Sequence, residues 1–271
     1  MAFGNRLINT GGGVPVIPFS GGSISSASGS VFYQDYYGDY WSNFSVSYDG
    51  TKWIIPKPAL SQLTVYTLSV PYELARTGGQ SYSVQTAYGQ KNVGKGYFAP
   101  DTTIFTGVVN GGIGSVSFGA SSSPYLGNFA LPAGTPNDMN FIKAGTEAIV
   151  LSSTGNVYVY SSSIPFRWHT ATWSLLNTYT PPRTDFIRSY MSDDGTYFFG
   201  MTSAYVLYQY SLSTPYDINS ASQVGLLSLA AGNNGIVGAV RSLDFATIGS
   251  KFYVQTYQSA YPREYIYNFT F

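Results

Sequence analysis

Few side chains in this sequence have the type and spacing that chemistry requires. There is no cysteine, so a thiolate metal site and a disulfide framework are excluded, and His169, the only histidine, is the one candidate for a His-based triad or metal site and has no motif around it. Paired carboxylates could still perform glycoside hydrolysis, which needs only two such groups at a defined separation. Asp49, Asp101 and Asp194 recur at equivalent places, as do Glu73 and Asp217, and recurrence by position belongs to folding rather than to chemistry. Asp35, Asp39, Asp138, Glu147, Asp185, Asp193, Asp244 and Glu264 remain, and none has a catalytic local arrangement. The Asp-Gly pair also departs from a sialidase aspartate box, in which a residue separates the two. Gly232-Asn233-Asn234-Gly235-Ile236-Val237-Gly238 and Gly94-Lys95-Gly96 lack a following helix that could aim amides at a phosphate, and read as turn and link. No cofactor is expected, and the chain reads as non-enzymatic.

Aromatic platforms are the other chemistry on offer. Two clusters stand outside the recurring phrases: Tyr36, Tyr37, Tyr40 and Trp41 in one, and Phe166, Arg167, Trp168, His169 and Trp173 in the other. Such rings hold sugars or protein partners, and they form the candidate interaction surface. The plainer reading is packing between sheets or against a neighbour, with His169 an ordinary loop or packing residue.

The elements that would position these residues repeat. Ser47-Tyr48-Asp49-Gly50-Thr51-Lys52-Trp53 returns as Ser192-Asp193-Asp194-Gly195-Thr196-Tyr197-Phe198, and Tyr66-Thr67-Leu68-Ser69-Val70-Pro71-Tyr72-Glu73-Leu74 returns as Tyr210-Ser211-Leu212-Ser213-Thr214-Pro215-Tyr216-Asp217-Ile218. The separations of 145 and 144 residues fit three units of about 48. Fainter copies begin at Gly96, Phe141 and Arg241, which makes five units. Asp-Gly between short β-branched and aromatic runs specifies a tight hairpin, because Gly supplies the positive φ. Leu63–Leu68 and Tyr205–Tyr210 alternate as half-buried strands. The following proline ends that strand and starts the crossing to an outer one, such as Ser81–Thr86 or Val224–Leu229.

Four strands per unit predict an all-β, five-bladed β-propeller of four-stranded antiparallel blades. The last unit runs out after its third strand, so Gly13–Phe19 or Val31–Gln34 must supply its outer strand and close the ring, protecting an edge that would otherwise aggregate. The expected organisation is a flexible Gly/Ser-rich N-terminal arm over 1–30, carrying a candidate closing strand, and a single propeller domain over 31–271. No amphipathic helix is expected.

Composition narrows the partners. Net charge is zero, charged residues are 10% of the chain, and 25 Tyr and 17 Phe make it strongly aromatic. Thirteen scattered Lys and Arg cannot form the basic surface that nucleic acid needs. No signal peptide and no membrane span are apparent.

The phrases Ser-x-Asp-Gly-Thr-Lys and Tyr-x-Leu-Ser-x-Pro-Tyr-x-Leu/Ile resemble the propeller repeats of structural proteins of tailed bacteriophages, marine and cyanophage types in particular. Phe44 to Gly78 and Phe186 to Gly225 carry the match, and the other units follow it in outline. The polar opening Met1–Gly13 is similar to the starts of such proteins. The resemblance implies a virion component made in the host cytoplasm, on the tail, a fibre or the capsid. It would assemble with other virion structural proteins through the propeller faces and N-terminal arm. The alternative is a receptor propeller that recognises a host surface glycan, with a glycoside hydrolase behind it.

Overall fold

A computed structural model describes residues 19–35, 44–57, 62–73, 79–83, 93–98, 104–109, 112–117, 125–129, 132–166, 172–233, 236, 238–247, 249, 251–258 and 263–271. Strand β1 (Ser28–Asp35) comes first. The first sheet follows as β2 (Ser45–Val46), β3 (Lys52–Lys57), β4 (Gln62–Thr67) and β5 (Gly79–Ser83). The second is β6 (Val93–Phe98), β7 (Ile104–Val109), β8 (Gly112–Ser117) and β9 (Tyr125–Phe129). The third is β10 (Pro136–Ile142), β11 (Glu147–Ser152), β12 (Val157–Ser162) and β13 (Trp173–Tyr179). The fourth is β14 (Phe186–Met191), β15 (Tyr197–Thr202), β16 (Val206–Leu212) and β17 (Ala221–Ser228). The fifth has β18 (Ala239–Phe245), β19 (Lys251–Gln258) and β20 (Arg263–Thr270), and takes β1 as its outer strand.

Every ladder is antiparallel, and β1 pairs with β20 from Ser28 opposite Thr270 to Asp35 opposite Glu264. The strand that completes the fifth sheet is therefore the one containing Val31–Gln34, and not Gly13–Phe19. It begins at Ser28, inside the stretch read as a loose arm. The outer strand of the fourth sheet likewise begins at Ala221, ahead of the expected Val224, because the single turn Ile218–Ser220 delivers the chain directly into pairing. The only helical elements among the described residues are single 3₁₀ turns.

The first strands of the sheets neighbour one another in the order β2, β6, β10, β14, β18 and again β2. In the third and fourth sheets one middle strand is covered on both faces. Ala148 to Ser152 in β11 and Phe198 to Thr202 in β15 are buried without interruption, so these strands read as apolar runs rather than the alternation of a half-wet strand. The outer strand of the third sheet is wet: Ser174 to Thr178 of β13 are all exposed. Aromatic rings fill the gaps between sheets. Tyr190 of the fourth stacks on Phe245 of the fifth with centroids 4.4 Å apart and planes 12° apart. Phe44, Trp53 and Tyr72 of the first pack with Tyr253 and Ile266 of the fifth. Burying a side chain such as Phe199, which is fully inaccessible, stabilises the packed state by roughly 2–3 kcal/mol.

Candidate functional site

The repeated phrases build one local unit, a turn capped by a corner. In the first sheet the Asp49 carboxylate accepts from the Ser47 and Thr51 hydroxyls and the Thr51 N–H. Asp194 does the same with Ser192 and Thr196 in the fourth. Each turn ends in a glycine at positive φ, 71° at Gly50 and 69° at Gly195. The residue after the corner proline also takes positive φ, at Tyr72, Phe166 and Tyr216, and folds its ring back over that glycine. A Cβ on Gly50 would lie 2.6 Å from the Tyr72 ring, one on Gly145 2.2 Å from Phe166, and one on Gly195 2.4 Å from Tyr216. The backbone N–H of each aromatic residue donates to the carbonyl of its glycine. Tyr72 and Tyr216 also donate their hydroxyls to the carbonyls of Tyr48 (2.5 Å) and Asp193 (2.8 Å). The spacing of Asp-Gly and Pro-Tyr in the sequence is thus the spacing of one contact.

Buried polar side chains tie first strands to one another. Asn140 of β10 accepts from the Met191 N–H of β14 and donates to its carbonyl. Asp244 of β18, five residues before its turn glycine as Asn140 is before Gly145, accepts from the Val46 N–H of β2. Asp138 accepts from the Ser189 N–H. Asp193 accepts from the Ala144 N–H at 2.8 Å and from the Tyr48 hydroxyl at 2.6 Å, linking the fourth sheet to the third and the first. These carboxylates are fully or almost fully inaccessible and are engaged by backbone donors, which suits cohesion and not proton transfer to a substrate. Burial, with the Asp244 charge adding to it, pushes the Tyr253 and Tyr190 phenols well above their ordinary range, and burial raises Tyr160 to about 12. All three stay neutral, and Tyr253 donates its hydroxyl to the Tyr72 carbonyl at 2.6 Å. Among the described residues no three His, Cys, Asp or Glu side chains converge to hold a metal ion, and no helix is long and apolar enough to cross a membrane.

The N-terminal segment is docked between the fourth and fifth sheets. The Phe19 ring packs on Tyr197, Phe199 and Phe271, and it covers Gly249, where a Cβ would lie 2.3 Å away. Its N–H donates to Asp194 at 2.7 Å. Gln209 of β16 clasps the segment with both ends of its amide, accepting from the Ile24 N–H at 2.9 Å and donating to the Gly22 carbonyl at 3.0 Å. Ile24 is fully buried against Gly225, whose missing side chain leaves it room, and Ser25 accepts from the Leu226 N–H. Burial alone would raise the Asp194 pKa. The hydrogen bonds from Phe19, Ser192 and Thr196 outweigh it and hold the carboxyl below the ordinary range. Of the stretch 1–30 read from sequence as a flexible arm with a candidate closing strand, 1–18 lies outside the described residues, and in the remainder Phe19 and Ile24 supply the apolar anchors that the surrounding Gly and Ser lack.

The candidate interaction surface is only partly placed. Tyr36, Tyr37, Tyr40, Trp41, Arg167, Trp168 and His169 lie outside the described residues. Phe166 is not on a surface. It is buried against Tyr48 and Phe141, with centroids 5.1 and 5.2 Å away, because its corner position turns the ring inward over Gly145. Trp173 is half-buried, 6.2 Å from Phe141, at the start of β13. Gln209, Asp194 and Ile24 carry the docking that sequence reading missed. One signal for it was present: Pro18-Phe19 repeats Pro71-Tyr72, Pro165-Phe166 and Pro215-Tyr216.

No family model matches the chain, and no curated protein matches it. Among solved structures it is similar to a candidate 6-phosphogluconolactonase of Bacteroides uniformis, at 14% identity over 80% of this chain and 67% of that one, with a TM-score of 0.44. It is also similar to the β-propeller domain of Cps50 (Swd1) of Myceliophteria thermophila, at 9% identity over 83% and 82% of the two chains, with a TM-score of 0.46. Likeness at this level assigns neither an activity nor a partner to this chain.

Proposed function

We propose that the five sheets are the blades of one β-propeller ring closed by β1, and that the ring is a structural component of a tailed-phage particle, working by protein–protein assembly. The cyclic order of the first strands and the pairing of β1 with β20 support the closed ring. One contrast carries the assembly reading: polar groups that could do chemistry are spent inside, while the outer strands offer uncharged apolar surface. β13 and β17 contain no charged residue, and Leu175, Leu176, Val224 and Leu226 on them are between 43% and 49% exposed. Apolar, uncharged strands at a sheet edge are surfaces that a neighbouring protein covers.

Cross-linking mass spectrometry of intact particles from the phage that encodes this chain tests the assignment. Links from residues flanking β13 and β17 to other structural proteins are the expected result. A chain missing from the particle, or a purified chain that turns over a polysaccharide or binds a glycan saturably, overturns it.

A further inference from the structure

The fifth sheet obtains from a distant part of the sequence the aromatic cover that the described corners of the first, third and fourth sheets make locally. Lys251 pairs with Thr270 as Tyr197 pairs with Ser211, so Phe271 stands where Leu212 stands. Two residues separate Leu212 from Pro215 and Tyr216, and Val16-Ile17 are the two that precede Pro18 and Phe19. The same elements follow downstream, with three more residues between the ring and the cap. Asp217 caps the turn Ile218–Ser220 ahead of β17, and Ser23 caps the turn Ile24–Ser26 ahead of β1, with Ile218 and Ile24 both buried.

We propose that the segment ending in β1 is an exchangeable closing element: the cleft between the fourth and fifth sheets is a peptide-strand receptor that also accepts this segment from a second copy of the chain, joining copies reciprocally. The receptor is built. The Gln209 amide is buried and bonds only backbone groups of the segment, Gly225 makes room for Ile24, and Gly249 takes an aromatic ring. β20 offers a full strand edge. Such recognition through backbone groups and one or two apolar plugs is the mode of strand addition. A second copy presents the same chemistry, so exchange changes the connectivity and none of the contacts.

Residues 36–43 are the only covalent tie between β1 and the first sheet. Nine peptide steps reach about 30 Å, and crossing a four-stranded sheet takes about 15 Å, so the tie has length to spare. Closure within one chain benefits from an effective concentration on the order of millimolar, so exchange wins where copies are concentrated or held side by side. The inference holds whether or not the chain belongs to a phage particle.

The absence of cysteine makes the test clean. Ser30 pairs with Asn268 across β1 and β20, so Ser30→Cys and Asn268→Cys are made in separate full-length chains. The two are unfolded, mixed, refolded together at high concentration and oxidised. A species of two disulfide-linked chains is expected in the mixture, above the level of either variant alone, and its yield should fall in proportion to added wild-type chain. A mixture that stays monomeric overturns exchange, provided the double variant in one chain closes its own disulfide. The pair Ser28→Cys and Thr270→Cys, in the same register, gives the same readout should the first pair disturb folding.

Discussion

The fourth and fifth sheets each lay an aromatic ring over a turn glycine, yet one ring comes from the sheet's own chain segment, with its N–H on the glycine carbonyl, and the other comes from the far terminus, with its N–H on Asp194. Tyr216 covers Gly195 from 21 residues downstream, whereas Phe19 covers Gly249 from 230 residues upstream. The ring contacts are alike, so beyond the different acceptor of the aromatic N–H the contrast is one of chain entropy. Closing the longer loop costs about 2 kcal/mol more by the logarithmic dependence on length. The corner of the fourth sheet is therefore local, whereas that of the fifth is complete only when distant segments meet. Long-range closure makes the fifth sheet the point at which the whole fold is held or lost.

Removing residues 1–35 should break this asymmetry most severely. The β20 edge loses its partner, Gln209 and Asp194 lose theirs, and Tyr265, Tyr267 and Phe269 lose part of their cover. The expected outcome is loss of a cooperative thermal transition by circular dichroism, with aggregation. A soluble truncated chain that melts within roughly 3 °C of the full chain, the shift produced by about 1 kcal/mol, would refute the role of the segment. A permutant sharpens the same point. Joining Phe271 directly to Val16 and opening new ends within 36–43 makes all five units continuous, and it should melt no lower than the parent. A permutant that fails to fold would show that the register match between Phe271 and Leu212 is not structural.

Alanine at the two turn glycines separates local from long-range closure. Both carry positive φ and both meet a ring, so each substitution costs about 2–3 kcal/mol in strain and displaced contact. The destination of the displaced ring differs. Tyr216 is tethered in its own sheet, so Gly195→Ala should lower the melting temperature without opening the chain. Phe19 can leave with its segment, so Gly249→Ala should make residues 19–35 the first site of limited proteolysis. Equal protease patterns in the two variants would mean that the segment is not a separately releasable element.

Much of this architecture was legible in the sequence, and its limits follow from physics. Asp-Gly and Pro-Tyr keep their spacing because they touch, so the period, the hairpins and the strand count per unit can be read from letters. The need for an outer strand from elsewhere was also readable, since the fifth unit shows only three strand-like runs of its own. Which stretch supplies it was not, because Val31–Gln34 and Gly13–Phe19 are both apolar and short, and only the register with β20 distinguishes them. Phe166 was misread as surface because aromatic type and loop position suggest exposure, while its conformation after Pro165 turns it inward. Gln209 left no trace, for a buried clasp onto backbone groups places no requirement on the partner's side chains.

Acidity probes the contact between Asp194 and the segment. Hydrogen bonds depress the Asp194 pKa in the folded state below the ordinary 3.8, so its stabilisation is fully present above that value and fades as pH falls through the folded value. Asp194→Asn removes the charge and should flatten the dependence of melting temperature on pH in that acid window, with a loss of about 1–2 kcal/mol near neutrality for a hydrogen bond to a charged group. An unchanged acid limb in the variant would show that Asp194 does not hold Phe19.

The smallest effect concerns the corner hydroxyls, which the molecule itself treats as optional. Tyr72 and Tyr216 donate to turn carbonyls, while Phe166 and Phe19 cover their glycines without any hydroxyl. Ring burial must then do most of the stabilising, and the hydroxyl adds one hydrogen bond of about 1 kcal/mol. Tyr72→Phe should cost more than Tyr216→Phe, because Tyr72 is the more buried of the two and leaves the Tyr48 carbonyl in a drier place. Chemical denaturation of both variants measures this, with the slope against denaturant unchanged. A loss above roughly 2 kcal/mol at Tyr216 would mean that the hydroxyl, and not the ring over the glycine, closes the corner. The comparison of Tyr216 with Phe19 would then fail, since the fifth sheet has its glycine covered by a ring with no hydroxyl at all.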